Sequence, residues 1–214
     1  DNALFHAFKN LSYKEVDMLR SGLVIEGEHG LFDRYRDRVM FALHDKDGRV
    51  IGFSGRIYKD KSNESKYMNS PESDIFIKSK TLYHYHLAKE ATKKAGFVYL
   101  LEGFMDVIAL SKIGQDNTLA LMGTALTNDH LNLIRRLTNT VYLCLDGDQA
   151  GQKAAIKSAK ILLEHQFKVK MIKLMDGLDP DEILEQYGKE TLEICLSTQV
   201  DPIEFEINYL YSQS

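Results

Sequence analysis

The chain has 214 residues, enough for one large domain or two small ones around a sizeable core. Its 27 Lys and Arg against 31 Asp and Glu leave a formal net charge of −4, which argues against a protein that coats DNA nonspecifically. No apolar run reaches the ~18 residues of a membrane span, and no basic leader precedes an apolar segment. The two cysteines, Cys144 and Cys195, lie in apolar settings without metal-ligand spacing, so buried thiols in a reducing compartment are expected.

In chain order, "DNALFHAFKN" reads as an amphipathic helix that already contains the first residue, so the chain is expected to be cut from a longer protein. In "LSYKEVDMLRSG", Ser12 and Glu15 fit a capping box and Gly22 a helix stop. "RVMFAL" and "RVIGFSGRIY", joined by "HDKDG", predict a hairpin. "KDKSNESKYMNSPESD" predicts a loop, and "TLYHYHLAKEATKKAG" a helix closed by Gly96. From Phe97 short apolar strands alternate with helices: "FVYLLE", "FMDVIALSKIG", "TLALMG", "TNDHLNLIRRLT", "TVYLCL", "DQAGQKAAIKSAKILLEHQ" and "KVKMIKL". That grammar predicts a mostly parallel sheet covered on both faces, with a boundary near residues 94–97. After Pro180 the chain turns helical and acidic, and its last turns, residues 201–211, show no obvious packing partner.

Charge is unevenly spread. Phe53–Ala95 carries nine Lys and Arg against five Asp and Glu, whereas Asp176–Glu206 carries ten acids and one base, Lys189. One part could face a polyanion and the other collect cations, or both could simply be solvated.

The chemistry concentrates where strands end. Glu102 follows "VYLL" and precedes Gly103; Asp146 follows "VYLCL", with Asp148 two residues on; Asp179 and Asp181 flank Pro180. Asp106 lies four residues, about one helical turn, after Glu102. Ligands of parallel α/β sheets bind beyond the carboxyl ends of strands, so three strands deliver acids to one edge. Hard oxygen donors without His or Cys favour magnesium or manganese over zinc. The bland alternative is that each acid caps the helix that follows it. Gly123 and Thr124 after "LALM" form a further small-residue strand exit, with a turn and a cap as their plain reading. Neither G-x-G-x-x-G nor a Walker loop is present, so no familiar glycine cradle binds a nucleotide here. His84 and His86 should fall on different helix faces, and Tyr83, Tyr85 and Tyr99 are read as packing residues.

At these residues the sequence resembles the RNA polymerase domain of bacterial replicative primases of the DnaG type, whose core is a Toprim fold. "LEGFMDVIAL" and "LDGDQAG" match the Toprim Glu-Gly and Asp-x-Asp pattern, "MGTALTNDH" the Gly-Thr segment between them, and "DPDEIL" the acidic extension. Topoisomerases and recombination proteins share the bare carboxylate pattern. The upstream "FDRYRDRVMFALHDKDGRVIGFSGR" and "KYMNSPESDIFIKSKTLY" are more specific to primases, and the finer resemblance is to Gram-positive, staphylococcal versions. Where many of them read "FPI" this chain has Phe41–Leu43 as "FAL".

The resemblance implies an α/β architecture: a small mixed, basic subdomain at 1–95, a Toprim core with a mostly parallel sheet flanked by helices at 96–176, and a metal-site extension opening acidic helices at 177–214. It implies synthesis of RNA primers on single-stranded DNA from ribonucleoside triphosphates, in the bacterial cytoplasm at the replication fork, by a chain expected to be monomeric. Glu102, Asp106, Asp146 and Asp148 would be catalytic. Glu102, Asp146, Asp148, Asp179 and Asp181 would hold two or more Mg2+ or Mn2+ ions. Arg56, Lys66, Tyr67, Asn69, Lys78 and Lys80 would contact nucleic acid or nucleotide. Zinc and the replicative helicase would belong to an amino-terminal zinc ribbon and a carboxy-terminal module outside this chain. Arg34, Arg36 and Arg38 are read as a solvated loop pairing with Asp33 and Asp37, and Lys59 and Lys61 as solvated. Two other readings stand beside this one: a Toprim nuclease or topoisomerase, and an inactive binding fragment.

Overall fold

Residues 2–58, 65–175 and 177–212 are described by the computed structural model. Contacts divide the chain into two units: everything up to His44 with Arg49–Ile77, and Asp45–Gly48 with everything from Lys78 onward. The change of sequence grammar near residues 94–97 falls later than this division. Helix Tyr85–Ala95 groups with the second unit because Tyr85 and Ala88 are buried in that unit's core.

The first unit opens with helices α1 (Ala3–Asn10) and α2 (Glu15–Arg20), then a hairpin of β1 (Val24–Gly27) and β2 (Gly30–Asp33). A three-stranded antiparallel sheet follows, built from β3 (Arg38–His44), β4 (Val50–Ile57) and β5 (Tyr67–Asn69) with β4 in the centre. The β3–β4 hairpin is the one expected from alternation. The Ser12–Glu15 capping box does not form. Ser12 is left-handed (φ 60°), and α2 starts after Lys14 without a side-chain cap. The β1–β2 hairpin and β5 were not legible. β5 is three residues long, inside a stretch whose Asn, Ser and Pro favour loop, and pairing with β4 overrides that preference.

The predicted alternation from Phe97 is present in the second unit. Its strands are β6 (Val98–Leu101), β7 (Thr118–Ala120), β8 (Thr140–Cys144), β9 (Lys168–Ile172) and β10 (Gln199–Val200). Its helices are α3 (Tyr85–Ala95), α4 (Phe104–Lys112), α5 (Asn128–Arg135), α6 (Gln149–Glu164), α7 (Pro180–Ser197) and α8 (Pro202–Ser212). The strand order is β10-β9-β8-β6-β7, parallel from β9 to β7, with β10 antiparallel at one edge. All four residues of β6 are buried, as a strand covered on both faces requires. Val98 and Leu100 enter one apolar cluster with side chains of α3, α5, α6 and α8. Tyr99 and Leu101 enter the other with those of α4 and α7.

The last turns do have a packing partner. Phe205 of α8 is buried in the first cluster, and Glu206 accepts a hydrogen bond from Lys160 of α6 at 2.6 Å. The sequence hid this because the apolar anchors of α8 are few and mixed with exposed Ile203, Ile207 and Leu210. Helix α7 breaks internally at Gly188, whose φ of 83° and ψ of 177° are non-helical. Among the described residues, no helix is long and apolar enough to cross a membrane.

Candidate metal centre and basic surface

Strands β6 and β8 are neighbours, with Leu101 in register with Cys144. The helices that follow them leave to opposite faces, α4 to one cluster and α6 to the other. This is the topological switch that opens a crevice at the strand ends. Glu102 is the first residue beyond β6, and Asp146 the second beyond β8.

Local backbone rules hold three of the acids. Asp106 sits in the first turn of α4, and its Oδ2 accepts the Gly103 N–H at 2.9 Å. Asp148 caps α6, accepting from Gly151 N–H at 2.7 Å. Asp179 caps α7 reciprocally with Glu182: Glu182 N–H donates to Asp179 at 2.7 Å, and Asp179 N–H to Glu182 at 3.1 Å. The capping reading is thus correct for Asp106, Asp148 and Asp179, and it coexists with clustering.

Gly147 joins the two acidic loops. Its N–H donates to Leu178 O at 2.9 Å, and its carbonyl accepts from Gly177 N–H at 3.1 Å and from Gln152 Nε2 at 2.7 Å. A Cβ there would lie 2.2 Å from Met175 O, so only glycine permits this approach.

Electrostatics shows that the acids act on one another. Burial, then repulsion from Asp179 and Asp146, pushes the Asp106 carboxyl up to about 8. Burial, then Glu102, Asp179 and Asp148, pushes Asp146 up to about 7. Glu102 is raised by burial and by Asp148 and Asp179. Asp181 adds a further, smaller repulsion on Asp106. Asp146 Oδ1 is also buried without a hydrogen-bond partner among the described residues, a position that a cation would satisfy. Hard oxygens, mutual repulsion and an orphaned acceptor fit a divalent ion. Among the described residues, however, no group of three or more acids, His or Cys is disposed to hold an ion between them.

In the first unit, Arg56 on β4 lies opposite Tyr67 on β5. The Arg56 guanidinium and the Lys66 ammonium each lie 5.7 Å from the Tyr67 ring centroid. Asn69 ends the same strand, so Arg56, Lys66, Tyr67 and Asn69 come together. Lys78 and Lys80 belong to the second unit, on a 3-10 turn spanning Lys78–Lys80. Lys59 and Lys61 lie outside the described residues.

Several positioning residues escaped the sequence reading. Of the arginines of "DRYRDR", Arg36 is exposed as a solvated loop predicts, but Arg34 and Arg38 are not. Arg38 is buried and donates from Nη1 to Gly55 O at 3.1 Å and Ser65 O at 2.9 Å, while Arg34 reaches Asn69 O at 3.5 Å. Arg36 covers the Phe32 ring, and Asp33 instead caps α1 through Leu4 and Phe5 N–H. Fully buried His130 engages Lys78 O through Nε2 at 3.1 Å, and Thr127 donates to Ser79 O at 2.6 Å. Both therefore fix the Lys78–Lys80 turn. The Thr-x-x-His spacing at the start of α5 was the available signal, since Thr127 caps that helix. His84 stands left-handed ahead of α3 rather than on it.

Residues 1–89 match the family described as DNA primase catalytic core, N-terminal domain, and residues 99–184 match the Toprim-like family. A solved DnaG primase catalytic domain bound to ssDNA superposes with a TM-score of 0.83 at 35% identity, over 96% of this chain and 68% of that one. The chain belongs to the DnaG-type primase RNA polymerase domains. A DNA primase of Clostridium acetobutylicum is 38% identical over 205 residues, 96% of this chain and 34% of its own length. One of Staphylococcus aureus is 42% identical over 172 residues, 79% of this chain and 28% of its own. The chain thus spans about a third of the length of these primases. Toprim domains generally bind divalent metal ions, and the acids described above lie within the Toprim-like match.

Proposed function

We propose that the chain carries the nucleotidyl-transfer centre of a primase, extending RNA primers on a single-stranded DNA template from ribonucleoside triphosphates. The observation that carries this reading is the delivery of Glu102 and Asp146 to adjacent strand ends, where burial and mutual repulsion raise both carboxyls. Glu102, Asp146 and Asp148 would hold Mg2+ or Mn2+ ions, two or more, with Asp179 and Asp181 completing the acidic wall. Bound ions would supply charge neutralisation for the polyphosphate and stabilisation of the leaving oxygens. The reaction is attack of the primer 3′-hydroxyl on the α-phosphorus of the incoming nucleotide, with pyrophosphate leaving.

The chain's own residues divide the remaining work. The Gly103 N–H holds Asp106, and the Gly147 hydrogen bonds hold the Asp146–Asp148 turn against the Leu178 segment. Arg56 and Lys66 offer phosphate contacts around Tyr67, with Asn69 on the same strand, and Lys78 and Lys80 are separate candidates for such contacts in the second unit. The single-stranded DNA named for the solved relative supports this template assignment. The domain boundaries at 95 and 176, the monomeric state, the replication-fork location and a helicase partner belong to the same proposal. So does a Gram-positive, staphylococcal-type source, which the clostridial and staphylococcal relatives support.

The test is template-directed primer synthesis by the chain and by its Glu102→Gln and Asp148→Asn variants, with magnesium or manganese. Loss of at least 100-fold in both variants, with folding intact, is the expected result. Unchanged synthesis in both would remove the metal role. A covalent protein–DNA adduct would indicate a topoisomerase instead, and nucleotide-independent strand cleavage a nuclease.

A further inference from the structure

A second groove, of about 320 Å3, opens beside Glu102 and leads away along α6. Its walls are the exit of β7, Gly123–Leu126, and the α6 residues Ala154, Lys157, Ser158 and Ile161. Two consecutive residues of that exit are left-handed, Met122 at φ 55° and Gly123 at φ 76°. Left-handed backbone at a non-glycine residue is strained and persists only where its surroundings hold it. Here the Met122 N–H donates to the Glu102 carbonyl at 2.9 Å, and the Thr124 hydroxyl to Leu121 O at 3.0 Å.

The turn so held leaves donors unused. The backbone N–H groups of Gly123, Thr124 and Ala125 have no acceptor among the described residues. Across the groove, exposed Lys157 has no acidic or carbonyl partner among the described residues. Successive unpaired N–H groups form a concavity for anions, and an ammonium opposite them completes the charge.

We propose that the Gly123–Ala125 turn and Lys157 form a phosphate-binding groove that receives the backbone of the primer strand as it leaves the acidic centre. The phosphate chemistry is carried by the groove itself; its assignment to a primer rests on the function proposed above. A free polyphosphate, such as the departing pyrophosphate, presents the same oxygens and is the alternative source.

The experiment uses the chain with magnesium present and two probes, a short single-stranded RNA and inorganic pyrophosphate. Amide resonances of Gly123, Thr124 and Ala125 are followed in nitrogen-labelled protein, and RNA affinity is measured against salt. Lys157→Glu is compared with Lys112→Glu, an equal charge reversal at the far end of α4. The expected result is that RNA moves the three amides and that Lys157→Glu weakens RNA binding several-fold. It should also make the log–log salt slope shallower by about 0.7, one phosphate contact to a single strand, while Lys112→Glu changes neither. If pyrophosphate alone moves the amides, the groove binds phosphate and its source is the free ion. If neither probe moves them, or the two reversals weaken binding equally, the groove is not a phosphate site. Silence of the groove beside loss of primer synthesis in Glu102→Gln would sink this inference and leave the function standing. A responsive groove in a chain without primer synthesis would do the reverse.

Discussion

Gly147 and Leu178 are joined backbone to backbone, the glycine N–H donating to the leucine carbonyl at 2.9 Å. This contact brings the turn bearing Asp146 and Asp148 beside the segment that leads to Asp179. A methyl group at residue 147 would meet Met175 O at 2.2 Å and Leu178 O at 2.8 Å, and neither atom is the end of a flexible side chain. Gly147→Ala should therefore part the two loops, at about 1–3 kcal/mol of stability. Manganese affinity, read by calorimetry, should fall at least tenfold. An unchanged affinity would mean that the two loops do not share an ion.

The raised carboxyls set a direction for pH. Asp106 and Asp146, at about 8 and about 7 when folded, retain protons that the unfolded chain gives up near pH ~4. Their contribution to stability is full below that ordinary value and is lost as pH rises through about 7 and 8. The metal-free melting temperature should thus fall by several degrees across this window. Asp106→Asn, which keeps an acceptor for Gly103 N–H, should flatten the decline, and magnesium should offset it at the upper end. A melting temperature that rises across the window would contradict the repulsion.

Buried Arg38 offers a test in the first unit. Arg38→Met keeps the apolar stem and removes the donors to Gly55 O and Ser65 O. The buried Gly55 carbonyl left unpaired costs about 1–3 kcal/mol, to be read as a lower urea midpoint. Single-stranded DNA affinity should fall too, because Lys66 directly follows Ser65. Wild-type DNA affinity in a destabilised variant would separate this strand from the template.

The basic and acidic sets should separate cleanly by titration. Arg56→Ala with Lys66→Ala should weaken single-stranded DNA binding and reduce its salt slope by about 1.4, two contacts' worth, while leaving manganese affinity unchanged. Glu102→Gln and Asp148→Asn should do the opposite. Equal loss of both ligands in both sets of folded variants would refute the division of labour.

The α/β alternation and the acids at strand ends were legible because strand period, helix caps and glycine exits are local properties. β6 declares itself as a run buried on both sides, and Glu102 and Asp146 follow directly from where strands stop. What stayed hidden depends on partners distant in sequence. Arg38 looks like any alternating surface charge until carbonyls from residues 55 and 65 surround it, and His130 like a helix residue until Lys78 O meets its ring. β5 and β10 are too short to carry a period of their own, and exist by pairing with β4 and β9. The Ser12 cap failed for a related reason: its spacing was right, but its backbone is left-handed.

The helix caps have a kinetic consequence. Asp106 and Asp148 each commit one carboxylate oxygen to a helix-start N–H, which leaves one oxygen facing elsewhere. On the metal role proposed above, Asp148 would offer a cation the oxygen not given to Gly151 rather than both at once. A hard cation held by few protein atoms would keep much of its own water and exchange quickly. The charge of such a centre would come and go with each polyphosphate instead of residing there.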